Sequence, residues 1–302
     1  MAARKPGQRR GVPGHTPPAP GKLNLSATAW AEAAFLGLLQ GLTEFLPVSS
    51  SAHLRIVGPL LPSGTDPGAA FTAITQIGTE AAVLLYFRRE LSAMALSWWR
   101  SLASFGRHAD ADSRMAWLIL VGTLPIAVLG LVFKDAIETS LRNLYITAAM
   151  LIGFALVLWA ADRLGTQRRT LKDLGWRDGL LFGLAQALAL IPGVSRSGGT
   201  ITAGLIMGYT REAAARYSFL LAVPAVLASG FYQLWRSWDV GSPIAPGPTA
   251  LATLVAFGVG YGVIVVFLKF VSTRSYLPFV AYRIALGLAV LVLLQLGVLQ
   301  PL

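Results

Sequence analysis

A carboxylate, three consecutive serines and a histidine lie close together in an otherwise apolar stretch, Gln40-Gly-Leu-Thr-Glu44-Phe-Leu-Pro-Val-Ser-Ser-Ser-Ala-His53. Spacings of three and four residues place Gln40, Thr43 and Glu44 on one helical face. Glu44 with Gln40 one turn earlier could ligate a hard divalent cation through oxygen, since Mg²⁺ takes one or two carboxylates plus substrate phosphates. The competing reading is structural, with Glu44 pairing with Arg196 to brace two parts of the chain. His53 could be a buried histidine satisfied by a backbone carbonyl. Ionisable groups at membrane depth are functional by default, however, and Glu44 and the hydroxyls of Ser49, Ser50 and Ser51 accompany this one.

A second constellation is Pro192-Gly-Val-Ser-Arg-Ser-Gly-Gly-Thr200. Gly193 lets backbone N–H groups approach an anion closely. Arg196 offers a planar donor fork suited to phosphate oxygens. Ser195, Ser197 and Thr200 add hydroxyls at a helix start, where amides point at an anion. The bland alternative is a glycine-rich helix crossing with an arginine reaching for the membrane interface. An arginine at the tip of a hairpin snorkels poorly, which favours the anion site.

Both constellations sit where a helix must break. Pro47 cannot continue the hydrogen-bond ladder, so one helix ends there. The serines can cap the next helix, whose unpaired N–H groups then face the break, with His53 in its first turn. The pattern recurs: Gly37, Leu38, Gln40 and Leu42 match Gly183, Leu184, Gln186 and Leu188 at an offset of 146 residues. Val48, Ser49 and Ser51 match Val194, Ser195 and Ser197 at the same offset. Paired broken segments in corresponding halves point to a membrane binding site.

Of the 302 residues 55% are hydrophobic and 13% charged, with mean hydropathy +0.61. Soluble domains carry about 25% charged residues, so this is an all-α integral membrane protein. Without cysteine, disulfide and thiol chemistry are excluded. The net charge of +11 sits mostly between apolar runs, which fits anionic headgroups and excludes nucleic acid as a partner. Residues 1–24 read as a disordered basic tail, and 25–302 as one polytopic membrane domain. No cleaved signal is expected, because Gln40 and Glu44 interrupt the first apolar run.

Six full spans are expected near 70–87, 115–133, 144–161, 217–235, 249–270 and 278–298, each close to the ~20 residues a bilayer requires. The shorter pieces, 30–46 with 50–61 and 179–191 with 199–208, read as two re-entrant helical hairpins. Each half, 28–162 and 178–300, is then one hairpin and three spans, an inverted-topology repeat whose tips meet near the midplane. The loops 88–114 and 162–178 are rich in arginine and fall in the cytoplasm by the positive-inside rule. The basic tail argues the opposite way, and the two loops carry the orientation. Gln76 and Glu80 lie one turn apart in the next span, where Glu80 needs a partner such as Arg283 or a catalytic task.

These motifs resemble the undecaprenyl-diphosphate phosphatases, also called bacitracin-resistance proteins. The resemblance covers about 28–300 and rests on Gln40-Gly-Leu-Thr-Glu44, the Ser49–His53 run and Pro192–Thr200. It implies hydrolysis of undecaprenyl diphosphate to the monophosphate carrier lipid of peptidoglycan synthesis, and with it bacitracin resistance. It further implies a divalent cation, Mg²⁺ or Ca²⁺, and a bacterial plasma-membrane site opening to the outer face. The family's acidic pair falls on Gln40 and Glu44, so the first position here is an amide. Its serine–histidine motif falls on Ser49, Ser50 and His53, and its phosphate loop on Ser195, Arg196, Ser197 and Thr200. In the expected mechanism Arg196, helix N-termini and a cation on Glu44 clamp the diphosphate. His53 and Ser50 then supply the nucleophile, or position and deprotonate water. The expected partners are the polyprenyl diphosphate, the bilayer and a second copy of the chain as a homodimer. A polyprenyl-phosphate flippase is the rival reading, since inverted repeats with broken helices are also transporter architecture.

Overall fold

The computed structural model describes residues 26–106, 110–240 and 244–301, apart from the side chains of Glu138 and of 237–240. The basic tail with His15, residues 107–109 with His108, and residues 241–243 lie outside the described residues. Twelve α-helices form the described chain, and no β-strand occurs among its residues. Ser26 caps α1 (Ala27–Thr43), its hydroxyl accepting from the Ala29 N–H at 3.2 Å. Leu46, Pro47 and Val48 break the path, and α2 (Ser50–Val57) runs back. The Ser63 N–H, just beyond α2, bonds Glu32 near the start of α1 at 2.9 Å, so the pair returns to the end where it began.

Then come α3 (Gly68–Tyr86), α4 (Arg88–Ala103), α5 (Ala111–Val132), a short α6 (Lys134–Glu138) and α7 (Leu144–Leu164). The second half repeats the order with α8 (Trp176–Ala187), α9 (Arg196–Ile206), α10 (Arg211–Val240), α11 (Pro246–Val271) and α12 (Leu277–Gln295). Here Tyr209, just past α9, donates to Asp178 at the start of α8 at 2.9 Å, so this hairpin also closes on itself. Six helices, α3, α5, α7, α10, α11 and α12, are long and apolar enough to cross a membrane. They coincide with the six expected spans to within a few residues.

Packing exchanges between the halves. α1 lies on α11, and its counterpart α8 lies on α5; α3 pairs with its counterpart α10, and α7 with α12. The helices approach closely enough that glycine is required at the crossings. A Cβ on Gly78 of α3 would stand 2.1 Å from the Thr253 carbonyl oxygen of α11. Between the layers sits an aromatic core in which Phe45, next to Glu44, meets Phe219 of α10 edge-on at 5.1 Å.

The 88–114 stretch corrects the expectation of a loop, because most of it is α4. This helix buries Met94, Ser97 and Ser101 while exposing Leu96, Trp99 and Leu102. Its charged start, with Glu90 paired to Arg216 at 2.6 Å, hides it from a search for unbroken apolar runs. Amphipathic helices of this kind lie along the membrane interface.

The crossing predicts a contrast. Gly78→Ala should lower the melting temperature in detergent, because overpacking costs about 1–3 kcal/mol and exceeds the ~1 kcal/mol helix-propensity gain of alanine. Gly258→Ala, where nothing lies within 4 Å of the added Cβ, should leave it unchanged or raise it. Equal melting temperatures for both variants would contradict the tight crossing.

Candidate active site

The two breaks meet tip to tip. Each is followed by a serine in the left-handed region, Ser49 at φ 72° and Ser195 at φ 71°, the two positions that match in the repeat. Such backbone is costly for a residue with a Cβ and persists where surrounding structure enforces it. It re-aims the chain so that the next residue, Ser50 in one half and Arg196 in the other, starts a helix at the junction. Both of these residues bond the same carboxylate. Ser50 Oγ donates to Glu44 Oε2 at 2.5 Å, and Arg196 Nη2 donates to Glu44 Oε1 at 2.5 Å. The Glu44–Arg196 brace that the sequence allows is therefore present, at a carboxylate side chain only 2% exposed.

Gln40 Nε2 donates to Glu44 Oε2 at 2.7 Å, and Gln76 Nε2 reaches the same oxygen at 3.4 Å. Ser197 ties the tips together by donating to the Leu46 carbonyl at 3.0 Å. The remaining hydroxyls are local. Ser195 Oγ accepts from the Gly198 N–H at 3.1 Å, as an N-cap, and lies 3.2 Å from Ser197 Oγ. Ser49 Oγ lies 3.4 Å from Ser51 Oγ, and Ser51 is exposed. Thr200 bonds within α9 and to Ser218 of α10 at 2.5 Å, so it braces the helix rather than facing the tip. Gly193, at φ 96°, packs its Cα side against the Thr147 carbonyl, 2.4 Å from where a Cβ would stand.

His53 Nδ1 bonds the Ser49 carbonyl at 2.7 Å and therefore carries a proton. In the neutral ring Nε2 then accepts from the Tyr282 hydroxyl, 2.6 Å away. Tyr282 is a site residue that sequence reasoning missed, and its separation of 229 residues from His53 left no local signal. Next to it, Arg283 is completely buried. It does not pair with Glu80 as expected. Instead it donates to the carbonyls of Pro47 in the first break, Gly193 and Val194 in the second, and Met150 and Leu151 of α7, at 2.8–3.2 Å. A helix break leaves carbonyls unpaired, and a guanidinium with five donors can satisfy several at once.

Could these residues hold a divalent cation? Gln40 Oε1 and both Glu80 oxygens are buried without a hydrogen-bond partner among the described residues. An all-oxygen donor set beside Glu44 fits a hard cation. No cluster of three or more His, Cys, Asp or Glu occurs among the described residues, so the arrangement suits Mg²⁺ completed by substrate phosphates more than a closed cage.

The family model for bacitracin resistance protein BacA matches residues 33–289, which include both breaks and every site residue above. The chain belongs to the BacA family. It is 67% identical over 271 residues to undecaprenyl-diphosphatase 2 of Agrobacterium fabrum, covering 90% of this chain and 98% of that one. Undecaprenyl-diphosphatases of Paenarthrobacter aurescens and Micrococcus luteus are 60% and 62% identical, each covering 90% of this chain and 99% of the relative. Like the family it belongs to, this chain is a multi-pass membrane protein, with six helices long and apolar enough to span the bilayer.

The convergence of both breaks on Arg283 can be tested. Arg283→Leu strands carbonyls of both breaks, and each unsatisfied buried acceptor costs about 1–3 kcal/mol. The variant should unfold well below the wild type in detergent and gain protease sensitivity between α1 and α2. An Arg283→Leu protein with wild-type melting temperature and protease resistance would show that the tips do not depend on it.

Proposed function

We propose that this chain hydrolyses undecaprenyl diphosphate to undecaprenyl phosphate and inorganic phosphate, the activity named for its relatives. The observation that carries the reading is the shared carboxylate: one oxygen of Glu44 accepts from a serine hydroxyl and the other from an arginine fork. A nucleophile beside a base and an anion clamp is what phosphoryl transfer needs, since that chemistry is mainly positioning and charge neutralisation. Arg196 and the amides at the starts of α2 and α9 bind the diphosphate. As the Arg196 fork turns to phosphate oxygens, Glu44 is left to take the Ser50 proton. Ser50 Oγ bonds to the terminal phosphorus, the bond to the bridging oxygen breaks, and undecaprenyl phosphate leaves. Water then displaces the phosphoserine, the proton on Glu44 returns to Oγ, and inorganic phosphate departs. His53, held by the Ser49 carbonyl through Nδ1, takes a proton from that water on Nε2 once this nitrogen exchanges the Tyr282 hydroxyl for the water, and passes it to the departing phosphate. Glu44 and Gln40 would hold the divalent cation, Mg²⁺ or Ca²⁺, which when bound neutralises charge on the diphosphate.

The site opens to the outer face of the bacterial plasma membrane in this reading, because the arginine-rich 88–114 and 162–178 stretches belong in the cytoplasm. The two hairpins then enter from opposite sides as an inverted repeat, within one membrane domain. Recycling of the carrier lipid on that face underlies peptidoglycan synthesis and bacitracin resistance. The polyprenyl chain lies along the lipid-facing helices. All the proposed groups come from one chain, so the chemistry does not require a homodimer. A flippase would use the same clamp but gives the Ser50–Glu44 hydrogen bond no task.

Pure protein in detergent should release phosphate from undecaprenyl diphosphate, lose that activity in EDTA, and regain it with Mg²⁺ or Ca²⁺. Ser50→Ala and Glu44→Gln should each lower kcat by about 10²–10⁴-fold or more. Arg196→Lys keeps the charge without the bidentate fork, and should raise KM while recovering part of the loss seen in Arg196→Ala. Lipid transfer across liposomes without phosphate release would install the flippase instead. Separately, a cysteine replacing Ser51 should react with an impermeant thiol reagent added outside intact cells; labelling only from the cytoplasmic side would reverse the orientation.

A further inference from the structure

Glu80 is a buried carboxylate that the proposed reaction does not use. It lies within α3, is 0% exposed, and neither of its oxygens makes a hydrogen bond among the described residues. Arg196 Nη1 stands 3.9 Å away, and that nitrogen also lacks a hydrogen-bond partner among the described residues. A charge-assisted pair closes to about 2.7–2.9 Å, and the other arm of the same guanidinium stands 2.5 Å from Glu44. Arg196 is therefore anchored by Glu44, and Glu80 stands beside the pair without an anchor of its own. The amide nitrogen of Gln40 is likewise turned to Glu44, while its buried oxygen has no partner among the described residues.

We propose that Glu80 is the second carboxylate of the divalent-cation site, supplying from α3 the negative charge that Gln40 does not supply from α1. This rests on the cation reading of the preceding subsection and assigns it a residue that neither motif contains. Charge favours it. One guanidinium lies between two buried carboxyl groups and closes on only one of them, Glu44. When Arg196 engages a diphosphate, both carboxylates lose their counter-charge, and a single divalent cation restores it. The unpartnered oxygens of Glu80 and Gln40, with Glu44, are hard donors of the kind Mg²⁺ and Ca²⁺ select.

The test is cation binding rather than turnover. Chelator-stripped protein in detergent is titrated with Mn²⁺ by calorimetry, with melting temperatures recorded in EDTA. Glu80→Gln keeps the shape and removes the charge, and should weaken Mn²⁺ binding by about 10–100-fold or more. Its melting temperature in EDTA should match or exceed the wild type, because a buried carboxyl group without a hydrogen-bond partner has gone. The double variant Gln40→Glu/Glu80→Gln returns the charge to α1 and should recover most of the affinity. Glu80→Gln binding Mn²⁺ within about twofold of the wild type, or a folded double variant that stays weak, would overturn the assignment. If the single variant does not fold, the double variant decides alone. A wild type that binds no Mn²⁺ would bring down the cation reading and this inference together, whereas equal binding by wild type and Glu80→Gln removes only Glu80.

Discussion

A helix broken inside an apolar bundle exposes backbone groups that no water is present to satisfy, and this chain contains two such breaks facing each other. Arg283 answers for the carbonyl side. Its guanidinium reaches both breaks and α7 at once, so the arrangement of α1, α2, α7, α8, α9 and α12 converges on one side chain. The amide side is treated differently. The starts of α2 and α9 lie at the junction, where an anionic substrate can meet them. Unpaired backbone that would be a defect elsewhere is thus divided into a structural half and a binding half.

The repeat explains why two unlike residues serve one carboxylate. Ser49 and Ser195 share a left-handed backbone, and the residues that follow them, Ser50 and Arg196, occupy the same place in their hairpins. One half has kept a hydroxyl there and the other a guanidinium. Both reach Glu44, which only the first half carries. Duplicated scaffolding in this way brings a hydroxyl and a guanidinium to a single carboxylate. Glu80 then extends the same asymmetry, with α3 placing a carboxyl group 3.9 Å from Arg196 where the matching position of α10 is Val226.

Much of this was legible because membrane constraints leave strong marks. Pro47 and the Pro192-Gly pair located both breaks, and runs of about 20 apolar residues located the six long helices. α4 escaped because its apolar positions alternate with Arg88, Arg89, Glu90 and Arg100, giving amphipathic periodicity rather than a continuous run. Within the site, Glu44 and Arg196 could be paired on paper since each is a charge in an apolar segment. The partners of Arg283 could not, because they are backbone carbonyls that any sequence possesses and only broken geometry exposes. Tyr282 was hidden for a related reason: its task depends on α12 crossing α2, which no local pattern in either helix encodes.

The proposed chemistry turns on Ser50 as a nucleophile activated by Glu44, with water entering only in a second step. The stereochemistry at phosphorus tests this most directly. Undecaprenyl diphosphate made chiral at its terminal phosphorus with sulfur and heavy oxygen isotopes would be hydrolysed by the pure protein, and the configuration of the released thiophosphate determined. Two in-line displacements through phosphoserine predict net retention. Net inversion would mean that water attacks the diphosphate directly, and would contradict a nucleophilic Ser50 activated by Glu44.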